Sequence, residues 1–250
     1  MEQTDPLLKT EILRKIHHSL SLPHKQVVNP KSDLMSPKFL AKFATRLKMF
    51  HANHGPTKKA GKYDFEHIFS DALNYAGNRA KLNTSSDPVD ISIDCRKGKK
   101  RPFQLKTEMS RIIKKDIIYI SKFREGRFIR QCTTKPKLWD YIEEVLLPHI
   151  NEFEAIFLLR GMSEGKYVRY DLLELPSVTL KRIQHVPNHH IKIHKKKNKS
   201  YTIPIKEGRK TLMNFFFCGG VEKISIKDMP VTTCDHHATW WIEVGGKSFV

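Results

Sequence analysis

Asp90, Gln104 and Lys106 are the residues of this 250-residue chain whose types and spacing could do chemistry. They lie in Asp87-Pro-Val-Asp-Ile-Ser-Ile-Asp-Cys-Arg-Lys-Gly-Lys-Lys-Arg-Pro-Phe-Gln-Leu-Lys-Thr-Glu108. A carboxylate opens one short alternating run, a basic glycine-containing turn follows, and a second run carries an acceptor and a lysine two residues apart. Successive side chains of a strand face opposite ways, so Asp90, Ser92 and Asp94 share one face, with Val89, Ile91 and Ile93 on the other. Gln104, Lys106 and Glu108 likewise share a face opposite Phe103, Leu105 and Thr107. Pairing of the runs through the turn would bring the polar faces together. Oxygen ligands beside a lysine are equipment for cutting a phosphodiester. A divalent ion polarises the phosphoryl group and stabilises the leaving oxygen, and the lysine orients or deprotonates the attacking water. Positive neighbours and burial would lower the Lys106 pKa, whereas carboxylates would raise it.

These residues need elements to position them. Leu7, Leu8, Ile12, Leu13, Ile16 and Leu20 recur at helical spacing over residues 6–21, and Pro23 ends that helix. A second helix is expected from Pro37 to about His51, with Phe39, Leu40, Phe43, Leu47 and Phe50 inward and Lys38, Lys42, Arg46 and Lys48 on a basic face. A third runs from Tyr63 to Ala76, carrying Glu66, with Gly77-Asn78 as its stop. Ile117 to Ile120 is an apolar run of undecided type. Leu138 to Ile150 reads as a helix, Phe153 to Arg160 as a strand covered on both faces, and Tyr167 to Leu173 as its neighbour. A helix between strands in this order indicates an α/β core. In the last 75 residues, Ile191–His194, Tyr201–Ile205, Lys223–Lys227 and Thr239–Val244 alternate as strands, and residues 195–199 form a basic hairpin tip. The expected division is a helical region over 1–60, a nuclease core over 61–175, and a basic β-rich extension over 176–250.

The formal charge of +19, from 45 Lys and Arg against 26 Asp and Glu, points to a polyanionic partner. No basic amphipathic helix or lipid anchor favours a membrane surface, so nucleic acid is the expected partner. The acidic start, Met1-Glu-Gln-Thr-Asp-Pro6, gives no signal-peptide pattern, and no apolar run spans a bilayer. Cys95, Cys132, Cys218 and Cys234 show no CxxC pairing and read as reduced thiols of a cytoplasmic, prokaryotic protein.

Residues 61–175 resemble the PD-(D/E)xK nuclease superfamily, especially its type II restriction endonucleases. The likeness rests on the order helix with Glu, strand opening with Asp, strand with acceptor-x-Lys, helix, buried strand. By that resemblance Asp90 is the metal-binding aspartate, Gln104 stands at the Asp/Glu position, Lys106 is the lysine, and Glu66 is the acidic residue supplied by the preceding helix. Two departures stand out: the proline follows Asp87, which rivals Asp90 as metal ligand, and glutamine replaces a carboxylate. The resemblance implies a restriction-endonuclease-like mixed sheet flanked by helices, Mg²⁺ as cofactor with Mn²⁺ able to substitute, and double-stranded DNA as substrate. It further implies a C2 homodimer matching a palindromic site and a cognate DNA methyltransferase as functional partner. A structure-selective or repair nuclease on the same core, or a non-catalytic DNA-binding protein, are the alternatives.

Phosphate contacts are expected from Lys38, Lys42 and Arg46 on the second helix and from Lys192, Lys195, Lys196, Lys197 and Lys199 in the basic tract. His190 with His194 makes half of a zinc pattern that Cys234 and His236 complete only weakly. Trp240-Trp241 is expected to pack rather than to stack on bases.

Overall fold

The structure, a computed structural model, describes residues 24–55, 58–84, 87–95, 98–110, 113–194 and 199–244. The helix expected over 6–21, and Lys195, Lys196 and Lys197, lie outside the described residues. Twelve strands follow along the chain: β1 (His24–Val28), β2 (Arg79–Leu82), β3 (Ile91–Asp94), β4 (Lys100–Glu108), β5 (Ile117–Glu125) and β6 (Ala155–Glu164), then β7 (Tyr167–Pro176), β8 (Lys192–His194), β9 (Ser200–Glu207), β10 (Lys210–Cys218), β11 (Lys223–Pro230) and β12 (Asp235–Glu243). They form two sheets. The larger has the order β1-β12-β7-β6-β4-β3-β2, and the smaller β5-β11-β10-β9-β8. Within the larger sheet β4 and β6 pair parallel and the other neighbours antiparallel, so it is a mixed sheet.

Helix α1 (Pro37–His54) starts where Ser36 Oγ accepts from Phe39 N at 3.3 Å and Pro37 fixes the first turn. It ends at Gly55, whose φ of 78° suits a residue without Cβ. Helix α2 (Lys62–Tyr75) follows and buries Phe65, Ile68, Phe69, Ala72 and Leu73. Both helices cover one face of the large sheet. Phe39, Phe43, Leu47 and Phe69 pack there with Ile91, Phe103, Leu105, Phe157 and Leu159, and Trp240 stacks on Phe43 at 5.0 Å. Burying each such ring contributes roughly 1.5–3 kcal/mol, so packing rather than charge holds this layer.

The other face carries a second core. Helix α3 opens over Lys135–Tyr141, where Thr134 caps Lys137 N. It passes through a π turn at Ile142–Leu146 into Leu147–Asn151. Its Leu138, Ile142, Leu146 and Ile150 meet Ile156 and Leu158 of β6 and Phe215 and Phe217 of the smaller sheet. Strand β6 therefore sends Ile156 and Leu158 to one core and Phe157 and Leu159 to the other, as its nearly continuous apolar sequence requires.

Several expectations need adjusting. The undecided run at Ile117 is strand β5, and it joins the smaller sheet rather than its sequence neighbour β4. Strand β12 leaves the smaller sheet's company and pairs with β7 and β1. The segment Lys210–Cys218, whose Phe215-Phe-Phe217 run does not alternate, is a strand. Val89 packs in the α3 core and not beside Ile91 and Ile93, because β3 begins only at Ile91 and residues 87–90 bend. Lys48 is buried rather than displayed on an open basic face. No helix among the described residues is long and apolar enough to cross a membrane.

Candidate active site

Strands β3 and β4 pair antiparallel through the basic turn, with Ile91 opposite Phe103 and Asp94 opposite Lys100. The backbone ladder stops at Ile91, but the pairing continues one residue further by other means. Asp90 N donates to Phe103 O at 3.1 Å, and Asp90 Oδ2 accepts from Leu105 N at 2.7 Å. The aspartate side chain thus replaces the missing strand and is fixed against β4. Lys106 Nζ lies 3.6 Å from the same Oδ2. The other oxygen, Oδ1, accepts from Lys62 Nζ at 2.9 Å, and Lys62 also reaches Glu66 Oε1 at 3.2 Å. Asp90, Lys106, Lys62 and Glu66 therefore form one continuous charged cluster of two carboxylates and two ammoniums, formally neutral.

Gln104 points into the same cleft, an open cavity of about 650 Å³ also lined by Asp90, Lys106, Lys62 and Asp87. Its Nε2 donates to Pro88 O at 2.5 Å, which sets the amide orientation. Its Oε1 is buried and has no hydrogen-bond partner among the described residues. A buried amide oxygen left without a donor costs about 1–3 kcal/mol, and a cation at the cleft would satisfy it. The far wall is β5, which presents Ser121, Lys122 and Arg124.

Burial is the main influence on Lys106 and lowers its pKa from the ordinary lysine value; Asp90 opposes this and Lys62 reinforces it. Lys62 goes the other way. Its partial burial disfavours the charge, but the bonds and charges of Asp90 and then Glu66 outweigh it, so its pKa is raised. The two lysines of the cluster are thus inequivalent: Lys62 is half-exposed and firmly cationic, whereas Lys106 is only 15% exposed.

Asp87 lies in the cleft wall but is engaged differently. Its Oδ2 accepts from Thr84 Oγ1 and Thr84 N, both at 2.8 Å, and these bonds hold its carboxyl below the usual carboxylate range. Glu108, on the same strand face as Gln104 and Lys106, is also diverted. Arg160 Nε donates to its Oε2 at 2.6 Å in a buried pair.

Of the basic residues expected at phosphates, Lys42 and Arg46 face Asp71 at 3.6 and 2.6 Å, on the α1–α2 side of the molecule. Lys199 Nζ donates to Thr133 O at 2.8 Å. Lys38 and Lys192 are exposed. Among the described residues no group of three His, Cys, Asp or Glu is placed to hold a metal, so the half-pattern of His190, His194, Cys234 and His236 does not assemble. Trp240 is fully buried and Trp241 Nε1 donates to Glu164 Oε2, in keeping with packing roles.

Three residues of the cleft escaped sequence reasoning. Lys62 stands four residues before Glu66, a readable helical pair, but its link to Asp90 spans the fold. His149 and Glu152, three apart, pair at 2.8 Å. The His149 ring is buried between Phe123 and Phe153, and its Nε2 has no partner. Burial lowers its pKa against the opposing bond from Glu152, with Arg124 adding to the lowering.

A family model described as "SmaI: Type II site-specific deoxyribonuclease" matches residues 6–242. No curated protein and no solved structure matches this chain.

Proposed function

Because the chain belongs to the SmaI family of type II site-specific deoxyribonucleases, and so is a sequence-specific restriction endonuclease that hydrolyses phosphodiesters of DNA, we propose that cleavage occurs in the cleft between β4 and β5, with Asp90, Gln104, Lys106 and Glu66 as its working residues. The observation that carries this assignment is the buried Oε1 of Gln104, without a hydrogen-bond partner among the described residues, in the cleft that Asp90 and Lys106 also line. Type II restriction endonucleases generally use divalent metal ions. An aspartate carboxylate, an amide oxygen and a nearby glutamate are hard oxygen donors, the set that suits Mg²⁺, with Mn²⁺ as substitute. Asp90 and Gln104, helped by Glu66, would hold the ion. When bound, it would polarise the scissile phosphoryl group and stabilise the leaving oxygen.

The protein's own groups do the rest. Leu105 N holds Asp90 Oδ2, so the carboxylate is preorganised. Pro88 O accepts from Gln104 Nε2 and so fixes the orientation of the amide. Lys106, anchored beside Asp90 and largely shielded from water, orients the attacking water and, with its pKa lowered by burial, is suited to accept its proton. Asp87, committed to Thr84, supports the bend that delivers Asp90 and is not a ligand in this reading.

The product ends would be 5′-phosphate and 3′-hydroxyl. The substrate would be double-stranded DNA, with Lys38, Lys192 and Lys195–Lys197 as proposed phosphate contacts. The 61–175 stretch would act as nuclease core, 1–60 in backbone contact or dimerisation, and 176–250 in recognition. A C2 homodimer would match a palindromic site, and a methyltransferase of the same cytoplasmic restriction–modification system would protect the host DNA. The test is digestion of genome-sized DNA with Mg²⁺. Wild-type protein should give discrete fragments and Lys106→Ala none; undiminished cleavage by Lys106→Ala refutes the assignment.

A further inference from the structure

Lys62 occupies an unusual place for a surface lysine. It is the first residue of α2, where the helix dipole disfavours a cation, and it precedes Glu66 in the less favourable order for a helical pair. A pair formed only to stabilise the helix would gain more with the two residues exchanged. Its ammonium instead lies 2.9 Å from Asp90 Oδ1 and 3.2 Å from Glu66 Oε1, so it bridges two carboxylates contributed by different elements. Asp90 Oδ2 already receives Leu105 N and Lys106. Oδ1, which takes no backbone donor, is therefore the oxygen open to a further cation, and Lys62 occupies that place.

Charge balance gives this arrangement a consequence. Glutamine at position 104 leaves the cluster with two carboxylates, and the two lysines cancel them. A divalent ion entering a neutral cluster beside two ammoniums meets repulsion that a third carboxylate would have offset. Lys106 is nearly buried and cannot leave, but Lys62 is 53% exposed and can turn outward without unpacking the core.

We propose that Lys62 is an exchangeable counter-ion of the catalytic site. It compensates Asp90 and Glu66 while no metal is bound, yields Asp90 Oδ1 to the incoming divalent ion, and turns to a phosphate of the bound DNA. Metal and DNA then favour each other's binding, because the phosphate receives the charge that the metal displaces, and such coupling is reciprocal. This rests on the reading of Asp90 as a metal ligand.

The test uses the full chain without DNA, titrated with Mn²⁺ and followed by the paramagnetic resonance signal of the free ion. Lys62→Met keeps the stem and removes the charge. It should bind Mn²⁺ about tenfold more tightly than wild type, the scale of relieving one like charge at contact distance in a solvated site. Equal or weaker affinity overturns the exchange. Asp90→Asn is measured alongside: if it binds Mn²⁺ as well as wild type, the ligand reading fails instead. For the DNA half, duplex affinity is measured against salt with Mn²⁺ in a Lys106→Ala background, where cleavage is expected to be lost. Adding Lys62→Met should reduce the salt slope by about one phosphate contact. An unchanged slope overturns the transfer to DNA.

Discussion

Lys106 holds its ammonium 3.6 Å from Asp90 Oδ2, an oxygen that also accepts the backbone N–H of Leu105 at 2.7 Å. The strand that carries the lysine thus also fixes the carboxylate beside it. A shift of β4 by one residue would turn Lys106 and Gln104 to the opposite face and bring Leu105 into the cleft, so register and chemistry are a single constraint.

Lys106→Met separates catalysis from stability. Removing the water-orienting ammonium should slow cleavage by about 10²–10⁴-fold, the range of a positioned acid–base group. The fold should not suffer, because Asp90 keeps Lys62 and Leu105 N as partners and a largely buried charge is replaced by an apolar stem. Single-turnover rates and melting curves measure both. A variant that loses activity together with many degrees of Tm would indicate a structural lysine.

Asp87 and Asp90 are distinguished by paired substitutions. Asp90→Asn should reduce cleavage more than about 100-fold, since even outer partners of a metal site are worth about 10–100-fold. Asp87→Asn keeps an oxygen that can accept from Thr84, loses only a charge in an exposed turn, and should stay within a few-fold of wild type. The reverse ranking would transfer the ligand role to Asp87.

Gln104→Glu probes the missing carboxylate. Glutamate cannot donate to Pro88 O, so the metal-free protein should be less stable than wild type. An added negative charge should tighten metal binding about tenfold, which corresponds to about 1.4 kcal/mol at saturating metal and a further rise of about 3–5 °C in Tm. Thermal melts with and without Mn²⁺ decide: a metal-induced rise no larger than in wild type would remove Gln104 from the metal site.

The clustering of the proposed catalytic residues was legible because it depends on local rules. The paired runs and basic turn set Asp90 at the end of β3 against β4, near Lys106, and helical period placed Glu66 four residues from Lys62, which reaches Asp90. What failed was long-range. Alternation assigns faces but not neighbours, so nothing in β5 or β12 announced which sheet each would join. Val89 misled because the strand rule was extended into a bend. The Lys62–Asp90 pair and the orphaned Gln104 oxygen exist only once α2 and β3 have met.

Acid sensitivity follows from His51. Its ring is buried, and burial pushes its pKa down to about 4, with Gly55 O opposing and His54 adding a little. Tyr170 OH accepts from Ala60 N and lies 3.0 Å from His51 Nε2, which fits a neutral ring that accepts the phenol's hydrogen bond. The folded pKa lies below the unfolded one, so the contribution is intact above pH 6.5 and is lost as the pH falls toward 4. The full loss corresponds to about 3 kcal/mol. Urea unfolding at pH 7.5 and 4.5 should show His51→Gln losing markedly less stability across this window than wild type. Equal losses would place the acid-labile group elsewhere.

The cleft's two walls are joined by Glu108 and Arg160. Arg160, fully buried in β6, donates to Glu108 at the end of β4 and to the carbonyls of Lys114, Lys115 and Ile117, and Glu108 accepts Tyr119 N of β5. One guanidinium thereby ties β4 to the wall that faces it. Arg160→Met would leave a buried carboxylate without its ion pair and take a guanidinium donor from three carbonyls, costing about 3–5 kcal/mol. Adding Glu108→Gln removes the unpaired charge and should restore part of that loss. Proteolysis of the single variant should cut first within residues 109–116, and its cleavage rate should fall although no proposed catalytic group has changed. If the single variant matches wild type in Tm and in proteolytic pattern, the walls are held by packing alone and the ion pair is dispensable.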